Sequence, residues 1–560
     1  MTSVPRTSAG LRTALLALLA LLALAAMGGV LRNRWAQDEP ALLQQNGAIH
    51  TWSGLASGFT APYWPPPHTG GLYRPLARST ATLQWILGGG RAWPFHLVDL
   101  LLYVTLVLAL WGLGRELLTP TQAWIAAALF AVHPVHVEAV AIAVDQGELV
   151  VGIAAAIGAL AFLRWRRGAL SGRTASGAIA ALYLVALGFK ENALVIPALL
   201  AALELALPPR EEGRRARWQA IAAMALLGVA WWALRSHVLG TLAGAAPAEA
   251  LQGTSVGARA LTMLGVAGEW VRLLVWPAHL QGDYSPWEIA PWDRWRSEQT
   301  AGLIAVLAFA LALALAWRRR PAAAFGLLWV AIGLAPVSNV VLPTGILLAE
   351  RTLLLPSIGV VLVIGALLPD ALWASRWRTA AGTALAALLI LGVIRSARRM
   401  PVFHDPLTYM AALRRDAPES WRVMAGAGII EMESGDRAEG ERLLNAANAA
   451  WPAAPRPRLL LAFYARLQGR CDEAVPFLEQ ALARDPSDRW TRLPLVACLL
   501  DLGAYARSAR VAGRDTVNDP VGAALRSAVT IAQDAERRHL PPHTVRLAPV
   551  PGGLTLVGVQ

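Results

Sequence analysis

The sequence predicts an all-α protein, a polytopic membrane helical bundle of about eleven spans followed by a short solenoid of helical hairpins. Three observations predict it. Hydrophobic residues fill 56% of the 560 positions and charged residues only 16%, whereas globular chains run near a quarter charged. Apolar runs of 16–25 residues recur through residues 11–397, the length that crosses a hydrocarbon core. Beyond residue 415 these runs stop, and Gly435, Gly469 and Gly503 stand 34 residues apart, as do Pro452, Pro486 and Pro520.

The first span, about 11–31, follows Arg6 and Arg12 and carries no clear small-residue cleavage site, so it reads as a retained anchor. Ten more fall near 92–116, 121–137, 148–165, 175–189, 192–207, 218–238, 300–317, 322–341, 356–373 and 379–396. An odd number puts the termini on opposite sides. The basic connections (Arg164, Arg166, Arg167 and Arg173; Arg210, Arg214, Arg215 and Arg217; Arg318 to Arg320; Arg376 with Arg378) then all fall on the N-terminal side, which positive-inside orientation makes cytoplasmic. The outer face receives the loop 32–91, the stretches 133–148, 190–192, 239–299 and 337–355, and everything after 397. Residues 258–282, with Glu269 and Arg272 among apolar neighbours, read as an interfacial helix.

The net charge is +13, yet residues 401–560 carry 19 arginines against 18 acids. The excess therefore belongs to the membrane part, where cytoplasmic loops account for it, and a nucleic-acid partner has no support. A period of 34 is the tetratricopeptide length. Gly440, Ala474 and Ser508 fill the small-residue position of each second helix, and Tyr505 an aromatic position of the third unit. The domains are thus a membrane part, 1–397, about three repeats, 398–540, and an extended tail, 541–560. For the two cysteines, Cys471 and Cys498, buried thiols are preferred over a bond across adjacent repeats in an oxidising compartment.

Four polar clusters map to the outer face. Asp38-Glu39 follows the first span and is suited to taking a proton from a hydroxyl or to holding a divalent cation, against the plainer reading of a solvated loop start. His133, His136 and Glu138, with Asp145 and Glu148 behind them, suit zinc or manganese, against helix-end capping. Lys190 is the sole lysine of the chain, a membrane-edge charge of the kind that marks function, against a local pair with Glu191. Glu350-Arg351 offers a guanidinium shaped for phosphate oxygens, against a structural pair.

In order along the chain, Tyr73-Arg74-Pro75-Leu76, Trp93-Pro94-Phe95-His96-Leu97-Val98-Asp99, His133 to Val140, Lys190-Glu191, Pro277 to Leu280 with Asp283-Tyr284-Ser285, Pro336 to Asn339, and Ala349-Glu350-Arg351 with Leu355-Pro356-Ser357 resemble the transmembrane-and-tetratricopeptide O-mannosyltransferases. The resemblance implies a membrane glycosyltransferase of the C-type fold. It implies a polyprenyl-phosphate sugar as donor and a hydroxyl acceptor, on protein or on another glycan or lipid, met through the repeat groove. Asp38 and Glu39 occupy the place of the family's catalytic acidic motif. Lys190, Arg351 and Glu350 are then candidates at the donor phosphate, and His96, His133, His136, Glu138, Glu148, Tyr73 and Arg74 around the sugar. No cofactor is required, and a divalent metal stays open. The sequence departs from the family pattern at Asp99 (usually Asn), Tyr103 (often His), Gln146 (commonly Arg) and Leu354 (Tyr). Arginine in place of lysine and the short repeat array point to a bacterial inner membrane, with a periplasmic active face. The competing class is a non-catalytic membrane scaffold that recruits periplasmic partners through its repeats.

Overall fold

The computed structural model describes all residues except 1–8, 66–70, 243–247, 285–288, 290, 341–342, 453, 455, 485, 487, 514–519 and 546–560. Ser285 and most of the predicted tail therefore lie outside the described residues. Every regular element among those described is a helix. The chain divides into two compact units, Met1–Gly282 with Ile289–Ala412, and Asp283–Glu288 with Leu413–Gln560.

In the first unit all eleven predicted segments are helical. Among the described residues, eight helices have the length and apolarity to cross a membrane: Gly10–Arg32, Trp93–Leu117, Ala143–Arg166, Gly172–Phe189, Arg214–Leu239, Ser297–Arg319, Glu350–Leu367 and Arg378–Phe403. Two more segments are shorter, Ile196–Ala206 and Pro321–Val337. The segment predicted at 121–137 is broken into Pro120–Ala131 and Pro134–Ala141, bent by 50°. Pro134 causes the break, because it has no N–H and excludes its predecessor from the helical region; His133 is accordingly extended (φ −71°, ψ 121°) and its ring accepts the Val135 N–H at 3.3 Å. Val256–Val275 forms one helix carrying Glu269 and Arg272, which pair at 2.7 Å; it is not among the eight.

The outward faces tell which solvent the unit expects. Ile304, Leu307, Leu311 and Leu315 follow one another at helical spacing on Ser297–Arg319 and are all exposed, an apolar stripe that lipid, and not water, satisfies. Inside, Gly326 and Gly359 bring two helices together so closely that a Cβ on Gly359 would stand 2.4 Å from the Gly326 carbonyl oxygen, the small-residue packing of membrane helices. Met400 and Phe403 are fully buried in the same core, which is why the first unit runs on to Ala412.

The second unit holds three hairpins, Trp421–Ser434 with Arg437–Ala450, Arg456–Leu467 with Cys471–Arg484, and Arg489–Asp501 with Tyr505–Ala512, then a closing helix, Pro520–Arg537. The glycine ladder has a backbone cause. Gly435, Gly469 and Gly503 have φ of 100°, 76° and 72°, the left-handed conformation that ends a helix. Gly440 needs its size, since a Cβ there would meet Met432 at 2.5 Å. Contrary to the expectation of free thiols, Cys471 and Cys498 form a disulfide between neighbouring hairpins, with Cα atoms 5.1 Å apart. Residues 541–545 turn back, and the Tyr505 hydroxyl donates to the Pro541 carbonyl at 2.9 Å.

Candidate functional site

The first loop turns sharply after its span. Gln37 takes a left-handed backbone (φ 50°), costly for a side chain of this kind, and the turn delivers Asp38 partly exposed and Glu39 fully buried. Glu39 accepts the Ala36 N–H at 2.6 Å and the Ala143 N–H at 2.5 Å. It thereby ties the acidic loop to a segment over a hundred residues away. Burial pushes its carboxyl up to about 8, against the pull of His96 and the two N–H groups. The two acids of the motif differ in kind: Glu39 is a buried clamp, and Asp38 is the one with access.

Groups from separate segments meet at Arg351, which Asp145, Glu138 and Asp38 all influence. Arg351 donates through Nη1 to Glu138 Oε1, its backbone N–H reaches Glu138 Oε2 at 2.9 Å, and its Nε stands 3.4 Å from Asp145 Oδ1. Asp38 acts electrostatically on this same guanidinium. Burial raises the Tyr63 phenol above its ordinary value, with Arg74 opposing the effect and Asp145, Asp38 and Glu191 adding to it. Arg74 lies 5.2 Å from the Tyr63 ring centre and 3.0 Å from Glu191 Oε2. Burial alone would raise the Glu191 carboxyl, but the Arg74 charge outweighs it and holds the group below its usual value. Tyr73 is buried and braces this loop through its hydroxyl, 2.9 Å from the Phe59 carbonyl.

The neighbouring pairs weighed as the plainer readings, Lys190 with Glu191 and Glu350 with Arg351, are not the ones formed. Lys190 pairs with Glu148 at 2.7 Å and not with Glu191. Glu350 accepts from Arg399 at 3.2 Å and from the Gln281 N–H at 2.7 Å, and not from Arg351. The reason is local geometry. Lys190 is extended (φ −157°, ψ 141°), so consecutive side chains point apart, and Glu350 and Arg351 share a 3-10 turn, where successive residues diverge by a third of a turn.

The histidines bond to protein groups. His136 bonds the Tyr103 hydroxyl through Nδ1 at 2.9 Å and Ser357 through Nε2 at 2.8 Å. His133 Nε2 meets the Leu274 carbonyl at 3.1 Å. His96 Nε2 meets the Arg34 carbonyl at 3.2 Å, and its Nδ1 lies 3.5 Å from Asp99. Among the described residues no three His, Cys, Asp or Glu side chains converge as one ligand set. Gln146 pairs with Gln84 at 2.9 Å, and Leu354 is fully buried at a helix start. Sequence reasoning missed Tyr63 and Arg399 and did not assign Asp145. Arg399 carried a signal, as one of three arginines (Arg395, Arg398 and Arg399) at the outer end of the last apolar run; the Tyr63 segment carried none beyond its aromatic composition.

Comparison with known proteins places these residues in context. A tetratricopeptide-repeat family model matches residues 465–529. The chain is 32% identical over 288 residues to the protein O-mannosyl-transferase Tmtc2 of Drosophila melanogaster, covering 48% of this chain and 30% of that protein. It is 29% identical over 116 residues to the protein O-mannosyl-transferase TMTC3 of Mus musculus, covering 20% and 13%, and 31% identical over 135 residues to Tmtc1 of Drosophila melanogaster, covering 23% and 15%. The matched part thus spans less than a third of each relative's own length. Among solved structures, the arabinofuranosyltransferase AftD from Mycobacteria aligns with 71% of this chain and 28% of its own, at a TM-score of 0.33 and 17% identity. The resemblance to transmembrane-and-tetratricopeptide O-mannosyltransferases drawn from the motifs is borne out by these relatives.

Proposed function

We propose that this chain is a membrane glycosyltransferase that moves a sugar from a polyprenyl-phosphate donor to a hydroxyl on the outer, periplasmic face, with inversion at the anomeric carbon. The observation that carries the reading is that Arg351 is shared by Glu138 and Asp145, with the partly exposed Asp38 acting on the same guanidinium. The names of the relatives, protein O-mannosyl-transferases, support the reaction class. The Cys471–Cys498 bond supports an oxidising compartment for the repeats, and the arginine-rich loops support the opposite face as cytoplasmic.

In this mechanism Asp38 accepts the proton of the acceptor hydroxyl as its oxygen bonds to the anomeric carbon. The bond from that carbon to the phosphate oxygen breaks, and the lipid phosphate leaves with the electron pair. Arg351, oriented by Glu138 and Asp145, and Lys190, oriented by Glu148, present N–H donors to the departing phosphate; fixed donors of this kind cost no reorganisation during the reaction. Glu39 holds the loop that carries Asp38. The repeats supply a groove for a macromolecular acceptor.

A scaffold without chemistry is the competing reading, and it draws on the internal pairing of Lys190 and Arg351. The two separate on one experiment: purified full-length chain incubated with labelled polyprenyl-phosphate sugars. Transfer to an acceptor, or slow release of sugar to water, supports the enzyme; neither with any donor supports the scaffold.

A further inference from the structure

Three helices that carry the candidate site at one end, Trp93–Leu117, Gln146–Arg166 and Leu354–Leu367, meet a second feature at the other. With about 1.5 Å per residue the longest of them separates the two by more than ~30 Å. At the far ends lies a groove of 310 Å³, within the size range of small-molecule sites. Its polar lining includes Arg167, Arg320, Gln122 and the carboxylate of Glu116, and its apolar lining Leu118, Leu207 and Ala366.

The charges here do not balance. Arg164 and Arg167 both pair with Glu116, Arg167 through Nη1 to the carboxylate at 2.5 Å and through Nη2 to the backbone carbonyl. Arg320 gives Nη1 to the Ala366 carbonyl at 3.0 Å, and its other N–H groups bond to no protein group among the described residues. Two guanidiniums thus share the Glu116 carboxylate, and Arg320 adds a third cation whose guanidinium meets only a backbone carbonyl among the described residues. Guanidinium presents paired donors matched to phosphate oxygens, and basic pockets between membrane helices at the cytoplasmic boundary hold anionic lipid head groups. Leu118, Leu207 and Ala366 supply an apolar wall of the kind an acyl chain requires, and the adjoining Ser297–Arg319 helix exposes Leu311 and Leu315.

We propose that this groove binds the phosphate of an anionic membrane phospholipid between Arg167 and Arg320, with its glycerol and first methylenes against Leu118, Leu207 and Ala366. The site is separate from the one that takes the sugar donor and does not depend on the chain's being an enzyme.

The test is native mass spectrometry of the full chain in detergent with dioctanoyl phosphatidylglycerol, dioctanoyl phosphatidylcholine or inorganic phosphate. Retention of phosphatidylglycerol alone is expected. Arg167→Gln with Arg320→Gln is expected to weaken it about thirtyfold, the loss of two arginine–phosphate contacts at a membrane surface. Arg318→Gln with Arg319→Gln, which removes the same charge outside the groove, is expected to leave it unchanged. Ala322→Trp keeps both cations and fills the groove, and is expected to abolish retention even if the arginine variant fails to fold. Equal retention of phosphatidylcholine, competition by inorganic phosphate at equal concentration, or unchanged binding by Ala322→Trp overturns the proposal.

Discussion

Two buried arginine–carboxylate networks sit in the membrane unit, and they are built to different ends. In one, Glu204 accepts from Arg166 at 3.2 Å and from Arg217 at 2.8 and 2.9 Å, while backbone carbonyls of Pro208, Arg210 and Glu212 take the remaining donors. Arg217 and Glu204 have side chains only 1% exposed. In the other, Arg351 is shared by Glu138 and Asp145 with Asp38 close by, and its side chain is 16% exposed. The first network has excess cation satisfied by backbone and sealed from solvent. The second has excess carboxylate, one member of which is open to it. Burial and ion pairing alone do not mark a site; several carboxylates gathered around one arginine, with one of them open to solvent, do.

The comparison can be broken at several points. The largest expected effect is all-or-none. If the two networks face opposite sides of a membrane, a cysteine at Ser255 should react with an impermeant thiol reagent from outside and one at Arg214 should not; the reverse pattern turns the proposed active face inward. Next, Glu204→Gln should destabilise the folded chain by about 3–5 kcal/mol, because it strands two buried arginines, while turnover per folded molecule stays at the parent level. A loss of turnover at unchanged melting temperature would make that network functional. Arg351→Lys should weaken donor binding by roughly 10–100-fold, since an ammonium cannot hold Glu138 and Asp145 and still present a donor to phosphate. Parent-level binding of a labelled donor would return Arg351 to a structural role.

A graded effect is expected in pH dependence. Glu39 keeps its proton to about 8, whereas the unfolded chain releases it near 4.5, so between these values the folded state binds more protons and stability falls as pH rises. Its contribution is full below about 4.5 and is lost as pH rises through about 8. Thermal melting across this range should therefore slope downward, and Glu39→Gln should flatten the slope. An identical slope in both proteins would assign it to other groups.

Much of this was legible in advance. The apolar runs announced the spans because a bilayer demands that length, and the glycine ladder announced the repeats because each glycine must adopt a positive φ. Arg217 was read as part of a cytoplasmic basic loop, and nothing in its neighbourhood reveals that Glu204, on a different helix, takes it out of solvent. The pairs Lys190–Glu191 and Glu350–Arg351 looked self-contained, yet the local backbone sends the members of each in different directions. The disulfide depended on packing that spacing does not encode: 27 residues separate Cys471 and Cys498 along the chain, and only the stacking of their helices brings them together. Asp38 and Glu39, adjacent and chemically alike, were separable only once one of them was seen to be clamped by two backbone N–H groups.

That separation is the central claim, and turnover measured beside donor binding on the same folded preparations of Asp38→Asn tests it most directly. The amide keeps the shape and removes the proton acceptor, so transfer should fall by about 10²–10⁴-fold while donor affinity is nearly unchanged. Transfer at the parent rate would contradict the assignment of Asp38 as the base, and loss of donor binding in place of turnover would move it into the binding site.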